Sequence, residues 1–383
     1  MSSATSPRIP FNVPTITGNE QGYIDEVFRA KKFSGDGPMS QRCNAWLRQH
    51  FNVQGAFVTT SCTHALEMAA LLCDLGPGDE VILPSYAFSS TATAFARTGA
   101  RLVYVDIDAV TMNIDPVSVA AAVTPKTRVV VALHYAGVGC DMQALTALAS
   151  RHDLIIVEDA AQCMFAGQGG RPLGTFGAFG CISFHESKNL HCGEGGALIV
   201  NDSAYIPRAE VILEKGTDRV RFKREGLGKY TWRDIGSSYV LSDLNAAFLL
   251  AQLEGGEEIT RARLATWNAY RAALQPLSRA GKLQLAEIPP DNAHNAHIIW
   301  IKLRELAERE ALIEHLARAR IMGTFHYIPL HSAPAGPKYG TFSGVDNHTT
   351  RESERILRLP IYSGFAAVER VVGCIEHFFD TAE

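Results

Sequence analysis

Four short apolar runs stand out in the first half of the chain: Val81–Leu83, Leu102–Val105, Val129–Leu133 and Leu154–Val157. Each is nearly continuous in apolar side chains, as strands covered on both faces are. Segments of helical character lie between them, such as Pro116–Val123 and Met142–Arg151. This alternation predicts an α/β fold, with a mostly parallel central sheet and helices on both faces.

The pattern changes after residue 200. Leu241–Arg279 reads as a long amphipathic helix with one break. A strand over Ala296–Leu303, a helix over Glu305–Ala319, a strand over Gly323–Tyr327 and a last helix over Ala366–Asp380 follow. A chain of 383 residues has room for two cores. The expected division is an N-terminal arm over 1–40 with a short helix near Gln21–Arg29, a large α/β domain over 41–255, and a smaller α+β domain over 256–383. No internal repeat or low-complexity tract interrupts it.

Composition narrows the function. The formal net charge is −4 and no basic stripe is present, which argues against a nucleic-acid partner. No apolar run reaches membrane-spanning length, and Met1–Pro14 lacks the apolar stretch of a secretory leader, so a cytoplasmic location is expected. The eight cysteines form no CxxC pair and sit in apolar segments, as reduced core cysteines do. His294 and His297 have a metal-like spacing without a third ligand, so no metal is expected. Gly167–Gly170 lacks the strand–helix setting of a dinucleotide fingerprint.

Several polar residues fall where predicted strands end, the place where open α/β sheets bind ligands. Thr59–Thr63 precedes a helix expected over Ala65–Leu75, stopped by Gly76-Pro77-Gly78. Small hydroxyl residues at such a start suit a phosphate, although plain N-capping, which needs only one of them, is the commoner reason for such a start. Phe88 follows the Val81–Leu83 strand and could stack on a flat ring or simply pack in the core. Asp159 ends another strand; it could pair with a pyridinium nitrogen or cap the following segment. Ser183 ends a strand and Lys188 follows in a loop. A lysine shielded from water can form a Schiff base, whereas a lone loop lysine is usually a solvated charge. Each part is weak alone. A phosphate-type helix start, an aromatic, an aspartate and a lysine in this order are what a pyridoxal 5′-phosphate (PLP) site of the aspartate-aminotransferase fold type needs.

The motifs Ser61–Thr63 with Gly76–Val81, Val157–Gln162, Ser183–His185 with Lys188-Asn189 and Gly193–Gly196, and His326–His331 carry a resemblance over nearly the whole length. The chain resembles the DegT-type sugar-nucleotide aminotransferases. The resemblance implies PLP fold type I, with Lys188 as the Schiff-base lysine and Asp159 as the pyridinium partner. Gln162 would face the ring near its hydroxyl and Phe88 would stack on it. Ser183 and the Ser61-Cys62-Thr63 segment would hold the phosphate. It further implies a homodimer with shared active sites, in which many members reach the phosphate with an asparagine of the neighbouring subunit; here that position is Ser238. Tyr230–Tyr239 and Met112–Asp115 resemble members that aminate C4 of dTDP-4-keto-6-deoxyglucose with L-glutamate as donor, for cell-surface glycans.

An anionic nucleotide sugar calls for a basic lip, for which Arg219, Arg221, Lys223 and Lys229 are candidates, though a solvated loop explains them as well. His326 and His331 are candidates for the sugar pocket, or for structural roles in a Tyr/Pro-rich turn. Three alternatives stand beside the C4 reading. Dehydratases on this scaffold replace the lysine with histidine, and Lys188 argues against them. A C3 aminotransferase is barely discriminated by these motifs. A non-catalytic PLP-binding regulator would bind the cofactor and ignore glutamate.

Overall fold

The computed structural model describes residues 7–226 and 228–381. Its strands run in chain order as β1 (Gly55–Thr59), β2 (Glu80–Pro84), β3 (Arg101–Val105), β4 (Thr127–Leu133) and β5 (Ile155–Asp159), then β6 (Gly167–Gln168), β7 (Arg171–Pro172), β8 (Phe179–Ser183) and β9 (Gly196–Val200). The C-terminal third adds β10 (Gln284–Leu285), β11 (Asn292–Ala293), β12 (Ile299–Lys302), β13 (Gly340–Phe342) and β14 (Ile356–Leu359).

Eight strands build the main sheet in the order β1-β9-β8-β5-β4-β2-β3-β13. Every neighbouring pair is parallel except those of β9, which runs antiparallel to β1 and β8. The four apolar runs thus become β2, β3, β4 and β5, the interior of the sheet. Their side chains alternate between two cores. Val81, Leu83, Val129 and Val131 join one buried cluster, while Ile82, Val130 and Ala132 join another across the sheet. Period-two alternation with both faces apolar gives the continuous runs seen in the sequence.

The long helical region is two helices, Asp243–Glu254 and Gly256–Arg279, divided at Gly255. Beyond them a small antiparallel sheet forms in the order β10-β12-β14. Three expectations differ from what is found. Gly323–Tyr327 is not a strand: apart from one bridge between Thr324 and Arg358 it is irregular, with Tyr327 at φ 24°. Gly340–Phe342, expected within the smaller C-terminal unit, pairs with β3 and extends the main sheet. The helix after β1 covers Cys62–Leu72 and stops short of Gly76, because Asp74 takes a left-handed conformation at φ 52°. The glycine cluster near residue 170 is a tight β6–β7 hairpin, in which Gly169 and Gly170 supply two consecutive positive φ angles. Among the described residues no helix is long and apolar enough to cross a membrane.

Candidate active site

The carboxyl ends of the parallel strands open into a cavity of about 820 Å³. Ser61, Cys62, Thr63, Phe88, Asp159, Gln162, Ser183 and Lys188 all line it. Residues separated by more than a hundred positions meet there because each ends or follows a strand of one sheet.

The helix Cys62–Leu72 points its N-terminus at the cavity. Ser61 caps it, its hydroxyl accepting from His64 N at 3.1 Å. The capping reading therefore holds for Ser61, and the N–H groups of the first turn remain as an anion site. Gly196 on β9 presses against this turn: a Cβ there would lie 2.4 Å from Cys62 N. Ser183, buried at the end of β8, faces the same cavity.

Alternation along β5 sends its two final carboxylates to opposite sides. Glu158 points away from the site, where Gly174 N and Gly177 N each donate at 2.7 Å and His134 Nε2 at 2.9 Å. Asp159 faces the site and is 5% exposed. Thr91 Oγ1 donates to its Oδ2 at 2.6 Å and Ala161 N to its Oδ1 at 3.2 Å. Burial raises the Asp159 carboxyl above the ordinary range, opposed by the Thr91 hydrogen bond. No cation pairs with it among the described residues.

Lys188 is half-buried in the turn after β8, its backbone N–H donating to His185 O at 2.9 Å. Its Nζ has no hydrogen bond or ion pair among the described residues. Burial pulls its ammonium below the ordinary lysine range, with the Arg358 cation adding to the effect. An unpaired amine, an unpaired buried carboxylate and a helix N-terminus around one cavity fit PLP, which carries an aldehyde, a basic ring nitrogen and a phosphate.

The remaining expected residues divide. Gln162 is buried, its Oε1 accepting from Ala136 N at 2.7 Å and its Nε2 donating to Tyr327 OH at 3.0 Å. Phe88 stands at the lip, 55% exposed, with its ring 6.1 Å from that of Tyr327. Ser238 is exposed and does not line this cavity. Neither do Arg219, Arg221, Lys223 and Lys229. Arg221 pairs with Glu225 at 2.9 Å and Lys223 with Asp36 at 2.6 Å. His326 lines the cavity, whereas His331 is held by Ser85 Oγ at 2.6 Å and faces Asp346 at 3.3 Å. His297 also lines it, its Nδ1 2.9 Å from Asn189 Oδ1, while His294 packs on Trp267.

Sequence reasoning missed Thr91, Arg263, Arg358, Tyr327 and the arm residues Phe11 and Asn12, all of which line the cavity. Arg263 is spent on Ala296 O at 3.1 Å and His297 O at 2.8 Å. Arg358 donates to Phe325 O at 3.0 Å, lies over the Phe11 ring at 4.8 Å, and has no carboxylate partner among the described residues. A single arginine between Leu357 and Leu359 on a short apolar strand was a readable signal.

Residues 14–376 match the DegT/DnrJ/EryC1/StrS aminotransferase family. The chain is 32% identical over 362 residues to the spore coat polysaccharide biosynthesis protein SpsC of Bacillus subtilis (strain 168), covering 92% of each. It is 29% identical over 329 residues to the GDP-perosamine synthase of Escherichia coli O157:H7, covering 85% of this chain and 86% of that one. The crystal structure of the aminotransferase TlmJ from Streptoalloteichus hindustanus superimposes with a TM-score of 0.89 at 29% identity, over 98% of this chain and 99% of that one.

Proposed function

The chain belongs to the DegT/DnrJ/EryC1/StrS aminotransferase family and is a PLP-dependent sugar aminotransferase, and we propose that it moves the amino group of L-glutamate to the C4 ketone of dTDP-4-keto-6-deoxyglucose. The products are 2-oxoglutarate and dTDP-4-amino-4,6-dideoxygalactose, a precursor for cell-surface polysaccharide. The observation that carries the reading is the unpaired Lys188 amine and the buried Asp159 carboxylate facing one cavity.

When bound, PLP supplies an electron sink and a carrier for the amino group. Lys188 would hold it covalently. Its Nζ, once free, would be the group that takes the proton from the α-carbon of glutamate and, in the second half, gives one to C4 of the sugar. Asp159 would hold a proton on the pyridine nitrogen, and Thr91 fixes the orientation of that carboxylate. The first turn after Ser61, together with Ser183, would hold the phosphate. Phe88 would cover the ring at the lip, and Gln162 would face the ring hydroxyl. Arg358, a cation in the cavity without a carboxylate partner among the described residues, receives an anionic group of the substrates.

The working unit is a homodimer in the cytoplasm. Tyr230, Trp232 and Ile235 are 50%, 79% and 61% exposed on the segment that carries Ser238. Such apolar exposure suits a second copy of the chain, which would bring Ser238 and the basic residues 219–229 toward the neighbouring cavity. Incubation with L-glutamate and the keto sugar, followed by NMR of the product, tests the substrate. Amination at C4 of the dTDP sugar supports the reading. Amination at C3, or turnover restricted to a GDP-linked keto sugar, contradicts it.

A further inference from the structure

We infer that Tyr135 fixes the tautomer of His326, making His326 a neutral hydrogen-bond donor to an uncharged oxygen of the sugar. Three side chains form a line from the core to the cavity. Tyr86 OH lies 3.3 Å from Tyr135 OH, which lies 2.8 Å from His326 Nδ1. Tyr86 and Tyr135 are wholly buried, and the imidazole lines the cavity. His326 Nε2 has no partner among the described residues.

Proton counting sets the direction of the line. Tyr86 OH has no other partner among the described residues, so the Tyr135 oxygen is where its proton can go. Tyr135 then accepts from Tyr86 and donates to Nδ1. In the reverse order, Nδ1–H would donate to Tyr135 and Tyr135 to Tyr86, stranding the Tyr86 proton in the core. Buried donors are rarely left so. Any Nδ1–H, in a neutral ring or an imidazolium, leaves either the Tyr86 or the Tyr135 proton without an acceptor. With its Nδ1 lone pair occupied, the ring is neutral and carries its hydrogen on Nε2. The surroundings agree: burial holds His326 well below the ordinary histidine range, and the Arg358 and Lys188 cations add to this.

The ring is also held in place. Tyr327 lies against it, with centroids 3.6 Å apart, on a backbone at φ 24° that bulky residues seldom adopt. A neutral N–H in a cavity that already contains Arg358 divides the recognition. The guanidinium takes an anionic group, and the imidazole takes a hydroxyl or keto oxygen. Tyr135 does not line the cavity, so it is a positioning residue. The identity of the acceptor rests on the sugar-aminotransferase reading; the tautomer does not.

The test is NMR of holoenzyme carrying 15N-labelled histidine, with the His326 signals assigned by their loss in His326→Gln. The expected result is the Nε2–H tautomer at neutral pH in the wild type, and a mixture of both tautomers in Tyr135→Phe. In kinetics, Tyr135→Phe should raise KM for the sugar nucleotide about fivefold to tenfold, while KM for glutamate moves by less than about twofold. Added to His326→Gln, whose amide N–H does not depend on Tyr135, the same change should have no further effect. A protonated or Nδ1–H ring in the wild type overturns the inference, as does an unchanged tautomer in Tyr135→Phe. The wild-type spectrum alone decides if Tyr135→Phe does not fold. Absence of turnover with any keto-sugar nucleotide contradicts the substrate reading and leaves the tautomer result standing.

Discussion

Thr91 Oγ1 donates a 2.6 Å hydrogen bond to Asp159 Oδ2, and both residues are buried. The bond joins the helix after β2 to the end of β5 and leaves the carboxylate aimed at the cavity. It also favours the charged form of a group that burial pushes toward neutrality. A neutral Asp159 cannot hold a proton on a pyridine nitrogen by charge. With Asp159 in the proposed role, Thr91 would act on the cofactor through it.

Thr91→Val keeps the shape and removes the hydroxyl. We expect PLP affinity to fall about tenfold, the worth of one buried hydrogen bond to a charged group. Thr91→Ser should recover most of it. Titration of apoenzyme with PLP checks both, and equal affinity in all three proteins would contradict the role.

Gly196→Ala tests the phosphate cradle. The added methyl would meet Cys62 N at 2.4 Å and must push the first helical turn away from β9. We expect PLP affinity to fall at least about tenfold and stability to drop by about 1–3 kcal/mol. Equilibrium dialysis and thermal unfolding separate the two effects. Wild-type PLP affinity would show that this turn does not hold the phosphate.

Lys188 sets a pH dependence. Its pKa is lowered, by burial first, so its free-amine fraction at a given pH exceeds that of an ordinary lysine. The rate at which apoenzyme captures PLP should rise with pH and level off below about 10.4, the ordinary lysine value. Stopped-flow absorbance across pH measures this. A rate still climbing beyond that value would mean that Lys188 is a solvated lysine.

The sheet was legible because β2, β3, β4 and β5 bury both faces along their middles, and their charged residues stand near the strand ends, where they do not blur the run. That Asp159, Ser183 and Lys188 would share one cavity was legible for a related reason: Asp159 and Ser183 end strands and Lys188 follows one, where a polar residue contrasts with the apolar run before it. Thr91 was not, because a threonine in a helix of small residues looks the same whether it meets solvent or a carboxylate. β13 was hidden by its length of three residues and by a partner, β3, more than two hundred positions earlier. Gly323–Tyr327 misled because its composition suits a strand, while its neighbours hold it as an irregular wall of the cavity. Ser238 and the basic residues 219–229 lie on the surface of one chain, where sequence gives their type and not what they face.

The visible spectrum of the PLP-loaded protein, before and after L-glutamate and then after dTDP-4-keto-6-deoxyglucose, tests the central claim most directly. Wild type should lose its cofactor band on glutamate addition and regain it with the sugar. Lys188→Ala should turn over at least about 10²-fold more slowly, because it removes the group proposed to move the proton. A band indifferent to glutamate, or normal turnover by Lys188→Ala, would contradict the account.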